Sequence, residues 1–495
     1  MELDPKICDR ARLARDSRFD GRFFIAVLST GIYCRAICPS PTARRENVRY
    51  YRSAAEAVEA GYRPCLRCRP ETAPGTPAWN GTSTTVKRAL RLIAEGALQE
   101  DRVTDLSERL GVSARHLDRL FRIHLGASPA AVARAGRLHF AKQLISDTNL
   151  PMFRVALASG FRSVRRFNDS IRGLYGRTPS QLRRMRPVAL RARPDEYVFR
   201  LSYRAPYDWE SLLAFLANRA IPGVEEVVSG AYRRSFALDG QHGILEIRHE
   251  KSAQALEARI RFSEAVSLLP IVTRLRAMFD LSADPSVIAR RFRRDLLLGR
   301  LVKKYPGLRV PGAWDGFELG VRAILGQQVT VAAASTLAGQ LAKKHGERLS
   351  VPDPGGGLTV VFPTPQVLAG VRLTGLPRVR ARAIRSLAQA VVSGRVMLSG
   401  TEEGTLDSLV HIRGIGEWTA QYIAMRALRQ PDAFPVNDLV LLRSAGLGRP
   451  LTAAALRKRA EQWRPWRAYA ALLLWRDSAD LAYAADPPKR IAAGR

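Results

Sequence analysis

The sequence predicts a multidomain protein that is mainly α-helical, with α+β parts. Its 495 residues exceed what one ordinary hydrophobic core holds, and at roughly 150 residues per domain they correspond to about three or four domains. All five cysteines lie in the first 68 residues, which sets that segment apart. Alternating apolar and polar residues after about position 197 indicate strands, whereas the sequence from about position 284 onward has helical periodicity.

The charge of the chain indicates a polyanionic partner. It carries 79 Lys and Arg residues against 45 Asp and Glu residues, a formal net charge of +34. We predict that the partner is double-stranded DNA. The arginine preference of a GC-rich genome is the alternative explanation. No run of about 18 apolar residues and no apolar stretch behind the N-terminus occurs, so we expect no membrane partner and no secretion, but a bacterial, cytoplasmic, nucleoid-associated protein.

Stretches rich in proline and glycine indicate the domain boundaries. Residues 71–84 and 186–197 are predicted linkers, and residues 351–365 are predicted to form one loop inside a helical region. The predicted domains are 1–75, 84–186, 195–283 and 284–495.

The clustered cysteines predict a metal site in the first domain. They form a C-x3-C pair, Cys34 and Cys38, and a C-x2-C pair, Cys65 and Cys68. In a chain without an export signal, such pairs fit a structural zinc site better than disulfides. Two unrelated pairs of reduced thiols are the alternative. Because no cysteine follows Cys68, we expect no cysteine-ligated iron–sulfur cluster in the rest of the chain.

The segments around these cysteines, TGIYCRAIC, RENV and GYRPCLRC, resemble the N-terminal domain of the Ada methylation-response proteins over about residues 3–72. The resemblance implies one Zn²⁺ that is structural and also activates a nucleophile, Cys34, which accepts a methyl group from a DNA methylphosphotriester. Four thiolates on Zn²⁺ carry a net charge of about −2, and methylation of one thiolate reduces this charge, so affinity for DNA should rise. A purely structural zinc site is the alternative, and Cys8 matches no ligand position.

Two successive segments predict helix-turn-helix units. In VTDLSERLGVSARHLDRLFRIH, a turn at Gly111 precedes a serine N-cap at Ser113. The segment FRVALASGFRSVRRFNDSIRG repeats this arrangement with Gly160 and Ser163. We therefore expect two recognition helices, each of the kind that enters the major groove of DNA.

The ending GRTPSQLRR makes this region resemble the AraC-type DNA-binding domain over about residues 84–186, with Ser107 where alanine is usual. A helical pair with no role in DNA binding is the alternative. The residues predicted to contact bases or phosphates are Arg115, His116, Arg119, Arg162, Arg165 and Arg166.

The segment IRGIGEWTAQY predicts a helical hairpin that binds DNA phosphate. Gly414 and Gly416 lie in a tight turn between two helices and leave backbone N–H groups free at a helix start. About twenty residues after this segment's tryptophan, Asp438 follows in the apolar segment DAFPVNDLVLL. The hairpin, the aspartate and the spacing between them make this part of the sequence resemble the helix-hairpin-helix DNA glycosylases.

The flanking segments WDGFELGVRAILGQQVTVAAAST and PWRAYAALLLW narrow this resemblance to the AlkA-type DNA-3-methyladenine glycosylases, over about residues 197–478. The resemblance implies an all-α glycosylase domain preceded by an α+β, TBP-like domain, to which APYDWESLLAFLANRA belongs.

The same resemblance implies roles for the matching residues. Asp438 would stabilise the oxocarbenium-like sugar and orient or deprotonate the attacking water. Gln328 in GQQVT matches the residue that wedges into the space of a flipped base, where the best-known member has leucine, and Gln327 beside it is predicted to contact substrate too. The residues predicted to form an aromatic pocket for the cationic base are Trp418, Tyr422, Trp475 and Phe215. The alternative is that Asp438 is a simple helix cap and the tryptophans are ordinary core.

Two absences bear on the reaction. Relatives that also cleave the DNA backbone have a lysine, in text such as GRKTA, where this chain has Trp418, so we expect a monofunctional glycosylase that leaves an abasic site. The cysteine methyltransferase domain that ends many Ada proteins, with its PCHR-type nucleophile, has no counterpart, so repair of O6-methylguanine is not expected.

The sequence thus predicts a fusion of DNA alkylation repair with its own regulation. We expect double-stranded DNA, at alkylated and at operator sites, and RNA polymerase as partners of a monomeric activator. One alternative is a transcription regulator whose glycosylase half only binds DNA. Another is a glycosylase whose N-terminal half merely localises it.

Overall fold

The computed structural model divides the chain into two compact units. The first unit comprises Met1–Ala205, Ala220–Asp284 and Gly339–Phe362, and the second comprises Pro206–Arg219, Pro285–Ala338 and Pro363–Arg495. The residues that the structure describes are 3–74, 84–94, 96–98, 102–185, 196–265, 268–398, 405–446 and 449–485. In these parts of the chain, no helix combines the length and the apolar character that crossing a membrane requires.

The N-terminal module of the first unit is built around a small sheet. Its elements are α1 (Pro5–Leu13), β1 (Phe24–Val27), β2 (Ile32–Cys34), β3 (Val48–Tyr51), α2 (Ala54–Glu59) and β4 (Arg63–Pro64). The strand order is β3-β1-β2-β4, with β2 and β4 parallel. Because Tyr33 pairs with Pro64, Cys34 at the end of β2 comes close to Cys65 after β4. The cysteine spacing predicted the cluster, but no pattern predicted this sheet.

Two helix-turn-helix units follow, as predicted. The helices are α3 (Thr84–Ala94), α4 (Val103–Arg109), α5 (Ala114–Leu125), α6 (Pro129–Asp147), α7 (Met152–Ala158), α8 (Val164–Tyr175) and α9 (Pro179–Arg184). Ser113 and Ser163 cap α5 and α8, and each of these helices ends at a left-handed glycine, Gly126 or Gly176. Ser107, which replaces the usual alanine, is buried and donates its hydroxyl to the Thr104 carbonyl at 2.7 Å. The buried hydroxyl that this serine introduces therefore has a hydrogen-bond partner in its own helix.

The rest of the first unit is an α+β structure. Its elements are β5 (Glu196–Ser202), β6 (Glu225–Val228), β7 (Ala231–Leu238), β8 (Gln241–Glu250), β9 (Ala255–Arg261) and α11 (Leu268–Met278), whereas α10 (Trp209–Ala217) belongs to the second unit. The sheet order is β5-β9-β8-β7-β6, with antiparallel neighbours. The alternation of apolar and polar residues predicted β5, β7 and β8. The strands β6 and β9, which were not predicted, complete the sheet. The predicted linkers lie largely outside the described residues.

The glycine- and proline-rich loop packs on this sheet. The N–H groups of Thr359 and Val360 donate to the Gly223 carbonyl at 2.8 and 3.1 Å, and Asp353 pairs with Arg233 of β7. The segment Gly339–Phe362 therefore belongs to the first unit, although the predicted boundary assigned it to the C-terminal domain. Long-range hydrogen bonds, which local patterns do not reveal, cause this difference.

The second unit is helical, as predicted. Besides α10 it contains α12 (Pro285–Phe292), α13 (Leu296–Lys304), α14 (Gly316–Leu325), most of α15 (Val331–His345), α16 (Pro365–Gly370), α17 (Arg378–Val392), α18 (Thr405–Val410), α19 (Glu417–Arg426), α20 (Leu439–Ser444), α21 (Ala453–Ala460) and α22 (Arg467–Ala485). Together with the sheets above, these helices confirm the predicted multidomain, mainly α class with α+β parts.

A buried arginine links the parts of the first unit. Arg204, directly after β5, is 0% exposed. Its guanidinium donates to the carbonyls of Asp20, Ser282 and Pro74 at 3.0, 2.8 and 3.2 Å. These acceptors come from the N-terminal module and from the segment after α11, so one side chain satisfies backbone groups from distant parts of the chain.

We expect Arg204→Met to destabilise the first unit by about 3 kcal/mol, because the buried carbonyls lose their donors. Arg200→Met is the matched control, since Arg200 on β5 is exposed and pairs with Glu250 at 3.0 Å; it should change stability by less than about 1 kcal/mol. Calorimetric unfolding of the full chain measures both. Equal losses in the two variants would contradict the role assigned to Arg204.

Candidate active site and metal centre

The hairpin between α18 and α19 depends on its glycines. Gly414 has φ +95°, and a Cβ atom at that position would lie 2.7 Å from the Cβ of Ala383, so only glycine fits. Gly416 is the N-cap of α19 and offers no side-chain cap. The first N–H groups of α19 therefore face outward without a side-chain acceptor, which is the arrangement of an anion site at a helix start.

Gln327 secures this hairpin. Its side-chain amide donates to the Gly414 carbonyl at 2.9 Å and to the Thr419 hydroxyl at 3.1 Å. Gln328 is exposed, has φ +54°, and lies between Gly326 and Val329, which line the cavity described below. The structure thus gives the two glutamines different positions: Gln327 bonds to the hairpin, and Gln328 projects beside the cavity.

Three of the predicted pocket aromatics come together. Trp418 and Tyr422 lie one turn apart on α19, and their rings stack with centroids 5.2 Å apart and planes 8° apart. The ring of Trp475, on α22, has its centroid 6.4 Å from that of Tyr422. All three side chains are half-buried, so their faces remain accessible from one side.

Asp438 is the N-cap of α20 and at the same time faces these aromatics. Its Oδ1 accepts the N–H groups of Val440 and Leu441 at 3.0 Å each. The indole N–H of Trp475 donates to Oδ1 at 3.0 Å, and that of Trp418 donates to Oδ2 at 2.9 Å. Four donors thus hold the carboxylate in one orientation.

These side chains line a cavity of about 690 Å³. The volume is in the range of small-molecule sites, which is roughly 300–1,000 Å³. The predicted residues on its walls are Asp438, Trp418, Tyr422, Trp475 and Phe215. Apolar and aromatic surface with one oriented carboxylate can bind a flat, cationic ring and stabilise positive charge beside it.

Arginines on the cavity wall were not predicted. Arg426 is 3% exposed and donates to the Tyr422 hydroxyl at 2.7 Å and to the Pro311 carbonyl at 2.9 Å. Burial alone raises the pKa of Tyr422, but the charges of Arg426 and Arg219 outweigh this effect and lower it. The spacing contained a signal. Arg426 follows Tyr422 by four residues on α19, and Arg219, just after the end of α10, follows Phe215 by four residues.

Phe215 lies in the cavity wall, yet guanidinium groups pack against its ring. The central carbon of Arg219 is 3.8 Å from the ring centroid, and that of Arg426 is 4.8 Å away. Phe215 therefore supports these arginines, and its predicted contact with substrate stays a prediction.

The four clustered cysteines form a possible metal centre in the first unit. Their Sγ atoms all lie within 4.8 Å of one another, and those of Cys38 and Cys65 are 4.0 Å apart. A tetrahedral Zn²⁺ with Zn–S bonds of about 2.3 Å places its sulfurs roughly 3.8 Å apart, so the four thiols fit zinc. Cys65 and Cys68 are buried, whereas Cys34 and Cys38 are partly exposed.

Arg35 contacts the cysteine cluster, whereas Cys8, the remaining cysteine, does not belong to it. The Arg35 backbone N–H donates to the Sγ of Cys68 at 3.3 Å, and its guanidinium donates to the Asp20 carboxylate at 2.8 Å. Cys8 lies outside the cluster, as predicted. Burial, with added repulsion from nearby carboxylates, raises the pKa of Cys8 to about 11, so it remains a protonated thiol.

The helix-turn-helix residues predicted to contact DNA lie at the starts of α5 and α8. Arg115 and Arg119 are exposed, and the Arg119 guanidinium is 3.1 Å from Nδ1 of the half-buried His116. The corresponding exposed residues of the second helix-turn-helix, at α8, are Arg162, Arg165 and Arg166. Each of these helices thus has exposed cations at or near its start, and their contact with DNA stays a prediction.

Four family models match consecutive parts of the chain. They are the metal binding domain of Ada (residues 7–71), a helix-turn-helix domain (106–185), the AlkA N-terminal domain (198–315) and the HhH-GPD superfamily of base excision DNA repair proteins (321–465).

Relatives match both the whole chain and its halves. The probable bifunctional transcriptional activator/DNA repair enzyme AlkA of Mycobacterium tuberculosis (strain ATCC 25618 / H37Rv) is 41% identical over 96% of this chain and 97% of its own. DNA-3-methyladenine glycosylase 2 of Escherichia coli K12 is 36% identical over 56% of this chain and 96% of its own. The Ada protein of Escherichia coli K12 is 42% identical over 25% of this chain and 34% of its own.

Fold, sites and matches define a class in which an Ada-type regulatory region is fused to a helix-hairpin-helix base excision repair enzyme. The chain belongs to the family of the bifunctional transcriptional activator/DNA repair enzymes AlkA.

Proposed function

We propose that the cavity of the second unit excises alkylated bases such as 3-methyladenine from DNA by hydrolysis of the N-glycosidic bond. The observation that carries the proposal is the Asp438 carboxylate, which the indoles of Trp418 and Trp475 hold at the wall of an aromatic cavity. The match to DNA-3-methyladenine glycosylase 2 of Escherichia coli over 56% of this chain supports it.

DNA would bind first through its backbone. The turn from Gly414 to Gly416 and the uncapped start of α19 offer N–H donors to a phosphate without reading the sequence. The damaged nucleotide must then leave the stack, which costs a few kcal/mol. Gln328, exposed beside the cavity, is the residue we assign to the vacated space.

The bond-breaking step follows from the charges in the cavity. An N-alkylated purine is cationic, so the electron-rich faces of Trp418, Tyr422 and Trp475 attract it. As the bond from C1′ to the base breaks, the electron pair leaves with the base and positive charge develops on the sugar. Asp438 stabilises this charge and orients the water whose oxygen bonds to C1′, while the carboxylate or solvent takes the water's proton.

We propose a monofunctional glycosylase. The position that carries a lysine in lyase relatives is Trp418, whose indole is committed to Asp438. Among the described residues that line the cavity there is no lysine to form a Schiff base. The product would be an abasic site with an intact backbone.

Asp438→Asn should lower the single-turnover rate of base release from methylated DNA by roughly 10²–10³-fold, because the charge beside the sugar is lost. DNA binding should persist, since the hairpin is unchanged. Asp407→Asn, which removes an exposed carboxylate from α18, is the control and should retain the rate. Full activity of Asp438→Asn would remove this residue from the mechanism, and a borohydride-trapped adduct would refute the monofunctional assignment.

We further propose that the cysteine cluster holds one zinc ion, structural as well as activating, through Cys34, Cys38, Cys65 and Cys68. Bound zinc would keep its thiolates deprotonated at neutral pH. The cluster ties β2 to the segment after β4 in a module that has little core of its own.

Cys65→Ser should therefore reduce the zinc content of the purified full chain from about one ion to well below one, and lower the first thermal transition. Cys8→Ser should retain the metal, because Cys8 lies outside the cluster. Elemental analysis and calorimetry measure the two effects. A wild-type protein without zinc would refute the site.

We propose that Cys34 accepts a methyl group from a DNA methylphosphotriester. Its Sγ would bond to the methyl carbon as the methyl–oxygen bond breaks, which leaves an ordinary phosphodiester. Partial exposure of Cys34 supports the assignment, whereas Cys65 and Cys68 are buried. Loss of one negative charge would strengthen binding of the recognition helices to an operator.

We further propose that the protein acts as a monomeric activator that recruits RNA polymerase at its operators. Because its substrate and its operators are chromosomal DNA, we place the protein at the nucleoid in the bacterial cytoplasm. A regulator whose glycosylase half only binds DNA would have no need for the aromatic faces that Trp418 and Trp475, the partners of Asp438, leave exposed to the cavity.

After incubation with methylated DNA, we expect a peptide containing Cys34 to gain about 14 Da, one methyl group, and operator affinity of the full chain to rise at low salt. Mass spectrometry and a binding titration measure these effects. Cys34→Ala should abolish the mass gain. A methyl group on Cys38, which is also partly exposed, would overturn the choice of nucleophile, and methylation without a change in affinity would overturn the switch.

A further inference from the structure

Five arginines line the cavity that we assign to the flipped base: Arg309 and Arg476, which donate to the Pro206 carbonyl and the Ser211 hydroxyl at 3.1 Å each, and Arg219, Arg322 and Arg426. They need an explanation, because a cationic base would be repelled by unneutralised positive charge at short range. The partners of each guanidinium decide which of them can interact with a base.

Arg426 is fully committed to the protein. Its Nε and both terminal nitrogens donate to the Pro311 carbonyl, the Gly312 carbonyl and the Tyr422 hydroxyl at 2.9, 3.1 and 2.7 Å. It therefore holds Tyr422 in place.

Arg322 is also committed. It forms an ion pair with Glu318 at 3.3 Å and donates to the backbone carbonyl of Arg219. Its charge is balanced by a carboxylate one turn away on α14, and its second contact positions the residue considered next.

Arg219 is different. Its guanidinium rests on the Phe215 ring at 3.8 Å, its hydrogen bond to the Phe215 carbonyl is long at 3.4 Å, and it also shares a hydrogen bond with the Tyr422 hydroxyl. No carboxylate forms an ion pair with it among the residues that the structure describes. The guanidinium keeps its charge at neutral pH and has five N–H donors, so donors remain for a ligand in the cavity.

Bases differ in what they offer such a donor. The six-position of a guanine or hypoxanthine ring carries a carbonyl oxygen, which accepts hydrogen bonds, whereas that of an adenine ring carries an amino group, which donates them. Hypoxanthine also keeps N7 as an acceptor. A guanidinium facing an amino group leaves donors unpaired, and this mismatch disfavours adenine-type lesions.

We propose that Arg219 is a specificity-determining residue of the glycosylase. It donates hydrogen bonds to the exocyclic carbonyl oxygen of the flipped base, and it favours hypoxanthine, which is neutral and carries this oxygen, over 3-methyladenine, which is cationic and carries an amino group. 7-Methylguanine, which is cationic but carries the oxygen, lies between the two. The inference rests on the proposed glycosylase function and adds to it a residue that recognises the hydrogen-bonding edge of the base. Phe215, Arg322 and Tyr422 position Arg219 through its ring contact, its backbone carbonyl and its guanidinium.

The test compares lesions in one protein. Arg219→Met removes the charge and the donors but keeps an unbranched side chain on Phe215. Arg476→Met is the matched control, because Arg476 also lines the cavity but donates to the Ser211 hydroxyl at 3.1 Å and packs on Tyr305. Single-turnover excision is measured on a duplex containing hypoxanthine and on methylated DNA that releases 7-methylguanine and 3-methyladenine. Thermal unfolding shows whether each variant folds.

We expect Arg219→Met to lower the rate of hypoxanthine excision roughly tenfold or more relative to the rate for 3-methyladenine. The rate for 7-methylguanine should fall by a smaller factor on the same scale. Arg476→Met should leave these ratios unchanged. An equal change for all lesions, or none, would overturn the role of Arg219. A wild-type protein that releases 3-methyladenine but no carbonyl-bearing base would overturn this inference alone, whereas one that releases no base would overturn the glycosylase function as well.

Discussion

The second unit depends on one carboxylate. Asp438 accepts two N–H groups of its own helix and the indole N–H groups of Trp418 and Trp475, so a single side chain caps α20 and fixes the position of residues on α19 and α22. Charge-assisted hydrogen bonds of this kind are about twice as strong as neutral ones. The cap and the cavity wall are therefore one feature, and a structural role for Asp438 does not compete with a catalytic one.

The same local geometry recurs at a residue that does not line this cavity. Asp295 caps α13 through two N–H groups at 2.9 Å and accepts the indole N–H of Trp463 at 2.8 Å, but Asp295 is not among the cavity-lining residues and Trp463 is 1% exposed. An aspartate cap bonded to a tryptophan is thus a packing device in this chain. What distinguishes Asp438 is that its partners are half-buried and leave aromatic faces exposed to a cavity.

Local chemistry made the centres of the two sites predictable. Cysteines two or three residues apart, serine caps before α5 and α8, and aromatics four residues apart on α19 all express short-range geometry, which a single sequence displays. The sheet of the N-terminal module, the strands β6 and β9, and the attachment of Gly339–Phe362 to the first unit arise from long-range pairing instead. No local pattern encodes such pairing.

The cavity arginines were missed for another reason. An arginine four residues after an aromatic is also what an ordinary solvated helix face shows, and a chain with 79 Lys and Arg residues makes that spacing uninformative. Burial and partners separate Arg426 and Arg219 from the rest, and both are known only from the fold. For Gln327 the sequence suggested contact with substrate, and the structure adds a hydrogen bond from its side-chain amide to the hairpin.

The cysteine module and the helix-turn-helix region are joined by more than the predicted linker. Glu71, at the start of that stretch, is 1% exposed and pairs with Arg69 at 3.1 Å and with Lys142 of α6 at 3.6 Å. Burial raises the pKa of Glu71, but these two cations outweigh burial and lower it, so the pair stays ionised inside the unit.

The neighbour of the candidate methyl acceptor reaches the same helix. Tyr33, one residue before Cys34, shares a hydrogen bond of 2.9 Å with His139 of α6. Since α6 lies between the two helix-turn-helix units in the chain, both the ion pair and this hydrogen bond tie the cysteine cluster to the element that connects the recognition helices. Under the proposed methyl transfer, a change of charge at the cluster would act on α6 and its neighbours through these contacts.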